Sequence, residues 1–207
     1  MRGFLDGILT LLAPLRCVGC DAPQASSVVF CASCVTLVER FSGEGAVFEY
    51  GGPVAAAIQR FKYEGRSDLG APLGSVMACH AQRWAGEVDA VVPVPLHWRR
   101  RRERGYDQAA LLASRVAKAL DVVPLLTGLR RLRNTPSQIE LPHRERQRNV
   151  AGAFAPRQLS GLRRVLLVDD VRTTGATLRE ASAALTLGGV SKVHPFVLAA
   201  RVLVEGT

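Results

Sequence analysis

Residues 164–178 read R-V-L-L-V-D-D-V-R-T-T-G-A-T-L, and the rest of the chain is best read outward from them. The apolar, β-branched run at 165–168 has the character of a strand buried on both faces, as in a parallel sheet. Two adjacent carboxylates, Asp169 and Asp170, end it. A short turn of Thr and Gly follows at 172–177, then a helix-forming stretch at 178–187. That order puts the turn at the carboxyl end of a strand, where open α/β sheets bind their ligands. Loop amides and a helix N-terminus together suit one anion. Thr173, Thr174 and Thr177 can add hydroxyl donors, and Gly175 lets the backbone come close. Two carboxylates do not suit a phosphate; they suit neighbouring hydroxyls or a divalent cation. A sugar phosphate meets both needs, so the expected ligand is a ribose 5-phosphate. The plainer alternative is an ordinary strand–turn–helix connection with Asp capping, which does not call for six special positions in order.

The 207 residues fit one domain with a small appendage, and 48% apolar content is enough for a core. The net charge of +9 is carried mostly by arginine, since the lysines are Lys62, Lys118 and Lys192. Guanidinium forks match phosphate oxygens in pairs. A basic surface also attracts nucleic acid in a salt-dependent way. A GC-rich genome replacing lysine by arginine accounts for the same bias without function.

Four of the five cysteines form two C-x-x-C pairs, Cys17/Cys20 and Cys31/Cys34. Each pair can make a knuckle, and two knuckles close a tetrahedron of thiolates around structural zinc. Fortuitous pairs or a redox motif are the alternatives. Cys79, alone in a helical stretch, reads as a small core residue. Gly7 to Leu15 is mildly apolar, but it lacks a charged lead-in and a small-residue cleavage site, so no signal peptide is expected. Apolar runs fall short of a membrane span, and the reading is of a cytoplasmic chain in which paired thiols bind metal.

Along the chain, residues 1–15 carry apolar groups at helical spacing up to Pro14, and the zinc module follows. Ser42-Gly43-Glu44-Gly45 reads as a linker. Helices are expected at 54–63 and 73–84, and a strand at 88–94. A basic loop, L-H-W-R-R-R-R-E-R-G-Y-D-Q at 96–108, leads to a helix at 108–120 that Asp107 can cap. The repeat of strand, loop and helix implies a parallel sheet with right-handed crossovers. The arginines at 99–102, with Arg104, read either as a solvated face or as an anion site beside the 172–177 turn. Interleaved His97, Trp98 and Tyr106 also suit single-stranded nucleic acid. The polar stretch at 130–154 is open between a mobile lid and a passive surface hairpin or helix.

The 164–178 segment resembles the phosphoribosyl-pyrophosphate (PRPP) loop of type I phosphoribosyltransferases. Nearly the whole chain resembles the ComF family, double-zinc-ribbon, phosphoribosyltransferase-like proteins. The matching motifs run in order: the two C-x-x-C pairs, F-K-Y-E-G at 61–65, V-P-V-P-L at 92–96, R-G-Y-D-Q at 104–108, T-P-S-Q-I-E-L at 135–141, R-N-V-A-G-A-F at 148–154 and V-D-D-V-R-T-T-G-A-T at 168–177. The family usually has R-G-F-N-Q where this chain has R-G-Y-D-Q.

The resemblance implies a type I phosphoribosyltransferase-like fold, with a zinc-ribbon module at 1–45 and the phosphoribosyltransferase-like domain at 46–207. It also implies a role in natural competence, handling single-stranded DNA during uptake, with competence-machinery proteins as possible partners. If the chain is an enzyme, pyrophosphate would leave the ribose C1 through an oxocarbenium-like state with Mg²⁺ bound to PRPP. Asp169 and Asp170 are then the candidate catalytic pair, on the ribose hydroxyls directly or through metal. Val171, Arg172, Thr173, Thr174, Gly175, Ala176 and Thr177 would cradle the 5′-phosphate. Arg99, Arg100 and Arg104 would neutralise pyrophosphate, and Gln138, Arg144 and Arg148 would close the lid. The rival readings are a binding module with a retained anion site and a DNA-binding face, and an adaptor that docks through its N-terminal module.

Overall fold

The computed structural model describes residues 15–133 and 152–202. The expected N-terminal helix and most of the expected lid, with Gln138, Arg144 and Arg148, lie outside them. A one-turn helix α1 (Ala32–Val35) carries Cys34, with Cys31 at its N-cap, and β1 (Ala46–Glu49) opens the main sheet. Helices α2 (Gly52–Tyr63) and α3 (Gly70–Ala81) precede β2 (Ala90–Pro93). Then come α4 (Trp98–Arg104), α5 (Gln108–Leu120), β3 (Val123–Pro124), β4 (Leu129–Arg131) and β5 (Phe154–Pro156). The chain ends in β6 (Arg164–Arg172), α6 (Ala176–Leu187) and β7 (Lys192–Ala200).

Five strands form one sheet in the order β1-β7-β6-β2-β3, parallel at every pairing, and β4 and β5 form a separate antiparallel pair. This is the helix-flanked parallel sheet expected of a type I phosphoribosyltransferase-like fold. Side chains alternate along a strand, so β6 feeds two cores. Leu166 and Val168 pack with Ile58 and Phe61 of α2, Met77 of α3 and Leu112 of α5. Val165 and Leu167 pack with Leu178, Ala181 and Leu185 of α6. Burial on both faces is why this run is apolar at every position rather than at alternate ones.

The structure changes three expectations. First, β6 does not stop at Val168: β7 pairs it on through Asp169↔Val197, Val171↔Ala199 and Arg172↔Ala200. The apolar end of β7 provides that ladder, and pairing outweighs the poor strand propensity of Asp. On its other edge β6 loses β2 after Pro93↔Val168, so from Asp169 onward that edge opens into a cleft. Second, the basic loop is partly the helix α4. Arginine is a good helix former, the His97 side chain accepts a bond from the Arg99 amide, and Gly105 closes the helix in the left-handed region at φ 84°. Third, Cys79 is exposed, because α3 turns Leu73, Met77 and Ala81 inward and leaves residue 79 on its outer side.

The turn into β1 is tightly held. Gly45, at φ +75°, accepts a bond from the Val197 amide at 2.9 Å, and a Cβ there would lie 2.7 Å from the Pro195 carbonyl oxygen. The cysteine module packs straight onto this body. Cys17, Val18, Phe30 and Cys34 share a core with Phe48, Val54 and Ile58. Arg60 of α2 donates to the carbonyls of Val18 and Gly19, and Arg66 pairs with Asp21 at 2.6 Å.

Candidate functional site

A cleft opens where β6 outruns β2, at the carboxyl end of the sheet. It is lined by Lys62 from α2, Arg100 and Arg104 from α4, Arg131 from β4, Asp169 and Asp170 from β6, Thr173 from the following turn, Thr177 from the first turn of α6, and Arg201 after β7. Strand parity explains the acid pair. Asp170 has the parity of Leu166 and Val168, whose side chains meet α2, and there the Lys62 ammonium lies 2.8 Å from its carboxylate. Asp169 has the opposite parity. Its Oδ1 accepts the Asp170 N–H at 2.9 Å, which satisfies a strand amide that has lost its β2 partner.

Burial penalises the charge on Asp169, and the neighbouring Asp170 adds to that penalty. Lys62, the Asp170 amide and Arg131 pull the other way, and the carboxyl ends up pushed to about 8. For Lys62, burial disfavours the ammonium, but its pairing with Asp170 and the nearby Asp169 more than offset this and raise its pKa. Asp107, also on the cleft, is raised by burial although its carboxylate accepts the amides of Leu96 at 3.0 Å and Ala110 at 3.1 Å. It is therefore the N-cap of α5, as the sequence suggests, and it ties down the chain leaving β2.

The Asp169 shift has a sign that can be measured. Unfolded, this carboxyl loses its proton near the ordinary value of 3.8; folded, it keeps it up to about 8. Between these the native state holds the extra proton, so this group makes stability fall as pH rises from about 4 to about 8. The slope is at most one proton, about 1.4 kcal/mol per pH unit. Urea unfolding across that range should show a shallower fall for Asp169→Asn, and parallel curves for the two chains would contradict the assignment.

The expected phosphate turn divides between two faces. Val171, Thr173 and Thr177 line the cleft with the acid pair. Arg172, Thr174 and Gly175 border a second hollow between Phe41–Gly43 and α6, to which Thr173 also contributes. There Arg172 donates to the Glu44 carbonyl at 3.2 Å and lies 5.1 Å over the Phe41 ring. The Thr174 carbonyl accepts from Arg179 at 2.8 Å. Gly175 leads into α6 at φ 74°, and Ala176 is buried at its start. Of the arginine run, Arg100 and Arg104, one helical turn apart, face the cleft. Arg99 is exposed and lies 5.3 Å from the ring centre of Trp98, itself 61% exposed. Sequence reasoning missed Lys62, Arg131 and Arg201 as cleft residues. Lys62 had a signal, being a lysine inside F-K-Y-E-G in a chain that otherwise prefers arginine.

The four cysteine sulfurs of the N-terminal module lie within 4.8 Å of one another, and the Sγ atoms of Cys20 and Cys31 are 3.7 Å apart. A tetrahedron with zinc–sulfur bonds of about 2.3 Å has edges of about 3.8 Å, so the donor set fits zinc. Burial works against a Cys17 thiolate, but amides of Cys31, Cys20 and Gly19 pull it down to about 6. Cys34 is pushed up by burial and by its fellow cysteines. Magnesium, expected with PRPP, fits the acid pair poorly: Asp170 already holds an ammonium and Asp169 resists ionisation.

No protein-family model matches the chain. Competence protein F of Haemophilus influenzae is 30% identical to it over 191 residues, covering 88% of this chain and 83% of that protein. DNA utilization protein YhgH of Escherichia coli is 30% identical over 187 residues, covering 88% and 82%. Competence protein ComFC of Bacillus subtilis is 28% identical over 190 residues, covering 88% and 76%. Among solved structures, the glutamine PRPP amidotransferase of B. subtilis complexed with ADP and GMP is similar with a TM-score of 0.46 and 24% identity. The match covers 66% of this chain and 29% of that one.

Proposed function

The chain belongs to the ComF family, and from that premise we propose that it serves DNA uptake, binding a ribose 5-phosphate or PRPP-type ligand in the cleft and single-stranded DNA on its basic face. One observation supports the ligand: an acid pair, Thr173 and Thr177 and a set of cationic side chains line one cleft at the carboxyl edge of a parallel sheet. Asp169 and Asp170 take the ribose hydroxyls, Thr173 and Thr177 the 5′-phosphate, and Arg100 and Arg104 the further phosphates of PRPP. Zinc, held by Cys17, Cys20, Cys31 and Cys34, is structural. Among the described residues no helix is long and apolar enough to cross a membrane, and the proposal is of a cytoplasmic protein.

Calorimetric titration with PRPP tests the cleft. Arg104→Ala and Thr177→Val should each lower affinity about tenfold, the loss of one charge-assisted or close hydrogen bond. Affinity untouched by both changes would remove the ligand from this site.

The DNA reading draws on α4, where the Arg99 guanidinium lies 5.3 Å from the centre of the exposed Trp98 ring and Arg101 and Arg102 stand exposed beside them. An exposed ring next to guanidinium groups is a stacking platform for unpaired bases. Trp98→Ala should cost about 1–3 kcal/mol of single-stranded DNA binding, and Arg102→Ala should flatten the salt dependence. Isotherms and salt slopes indifferent to both would dispose of it.

A further inference from the structure

We infer that Lys62 is a fixed counter-ion standing where a divalent cation would otherwise sit, so that a phosphorylated sugar meets Asp169 and Asp170 with no metal held by the protein. The ligand half of this rests on the sugar-phosphate reading above; the counter-ion half does not.

Three observations carry it. The ammonium lies 2.8 Å from Asp170, with the lysine side chain 21% and the aspartate side chain 9% exposed. It is delivered by a rigid element. Lys62 sits in the last turn of α2, whose inner face is locked by buried Ile58 and Phe61. Arg60, two residues earlier and so on the opposite side of the helix, is bound to the cysteine module through the Val18 and Gly19 carbonyls. The ammonium is therefore held in place rather than swung in from solvent.

The second observation is the donor set. A hard divalent cation wants several anionic or carbonyl oxygens. Here one oxygen of Asp170 is committed to Lys62 and one of Asp169 to the Asp170 amide. The third is the charge of the cleft. Among the described residues it gathers Lys62, Arg100, Arg104, Arg131 and Arg201 against Asp107, Asp169 and Asp170. That surplus repels a bare dication and attracts a bare phosphate. An ammonium has three N–H donors, so the one that holds Asp170 leaves others for ligand oxygens.

The full-length, zinc-loaded chain is titrated with Mn²⁺, followed by the electron paramagnetic resonance of the free ion and without chelator. The unmodified chain should bind none at the cleft. Lys62→Met should gain a stoichiometric site, which Lys62→Met/Asp170→Asn should lose, and Lys62→Arg should behave like the unmodified chain. A site in the unmodified chain that Asp170→Asn abolishes would overturn the inference, and so would a folded Lys62→Met chain that gains none. A measurement that needs no variant is the affinity of ribose 5-phosphate with and without Mg²⁺. It should change less than about twofold, whereas a tenfold gain would refute metal-free binding. If ribose 5-phosphate binds in neither condition the sugar-phosphate reading fails, and the metal-free binding with it, while the Mn²⁺ titrations still decide whether Lys62 holds the cation's place.

Discussion

Cys17→Ser should yield a chain without bound zinc and with a much lower unfolding midpoint. In small zinc modules the metal contributes on the order of 10 kcal/mol to folding, because its ligands are not assembled in the unfolded chain. In this protein the loss should not stay local. Cys17 and Cys34 are buried, and Val18 and Phe30 beside them pack on Phe48, Val54 and Ile58 of the main body. Gly19 sits so close that a Cβ would lie 2.8 Å from Pro53 and 2.9 Å from the Cys34 sulfur. An unfolded module would expose that face of α2 and leave Arg60 and Arg66 without their partners on Val18, Gly19 and Asp21. Metal analysis of the purified chain, together with thermal unfolding followed at the main-domain tryptophans, checks this. A Cys17→Ser chain with an unshifted main-domain transition would show that module and body are energetically separate.

Lys62→Met should destabilise the fold by about 3–5 kcal/mol, the usual loss when one partner of a buried ion pair is removed. Nearly all of that is the penalty on the survivor, since Asp170 would stay 9% exposed with no ammonium at 2.8 Å. The double change Lys62→Met/Asp170→Leu should therefore recover most of the loss, because replacing both charges by apolar groups is often close to neutral. Urea unfolding of the four chains measures the coupling directly. A cost for the single change no larger than that of a surface pair, about 1 kcal/mol or less, would mean the contact is open to water. Millimolar Mn²⁺ should stabilise Lys62→Met and leave the unmodified chain unchanged, linking this cycle to the counter-ion inference.

Much of this was legible in one dimension. The apolar run at 165–168, two acids, a Thr/Gly turn and a helix are local facts, and each follows from periodicity or turn chemistry. The cysteine pairs announced their cluster because metal spacing is short-range, and Asp107 announced its helix because capping is too. The length of β6 was not local: it depends on β7, which follows β6 in the chain and pairs past Asp170 as far as Ala200. The split of the basic run was hidden as well. Only once 98–104 is a helix does its pitch send Arg100 and Arg104 to the cleft and leave Arg99 outside.

By itself, then, the amino-acid order determined the central strands near 90–93 and 165–168, the helices α2, α3, α5 and α6, where the thiol cluster lies, and which edge of the sheet would carry a site. The tertiary structure alone decided the charge of that site. Lys62, Arg131 and Arg201 reach Asp169 and Asp170 from α2, β4 and the end of β7, between 31 and 108 positions away in the chain. Coulomb energy depends on distance and local dielectric, and neither is a property of sequence separation.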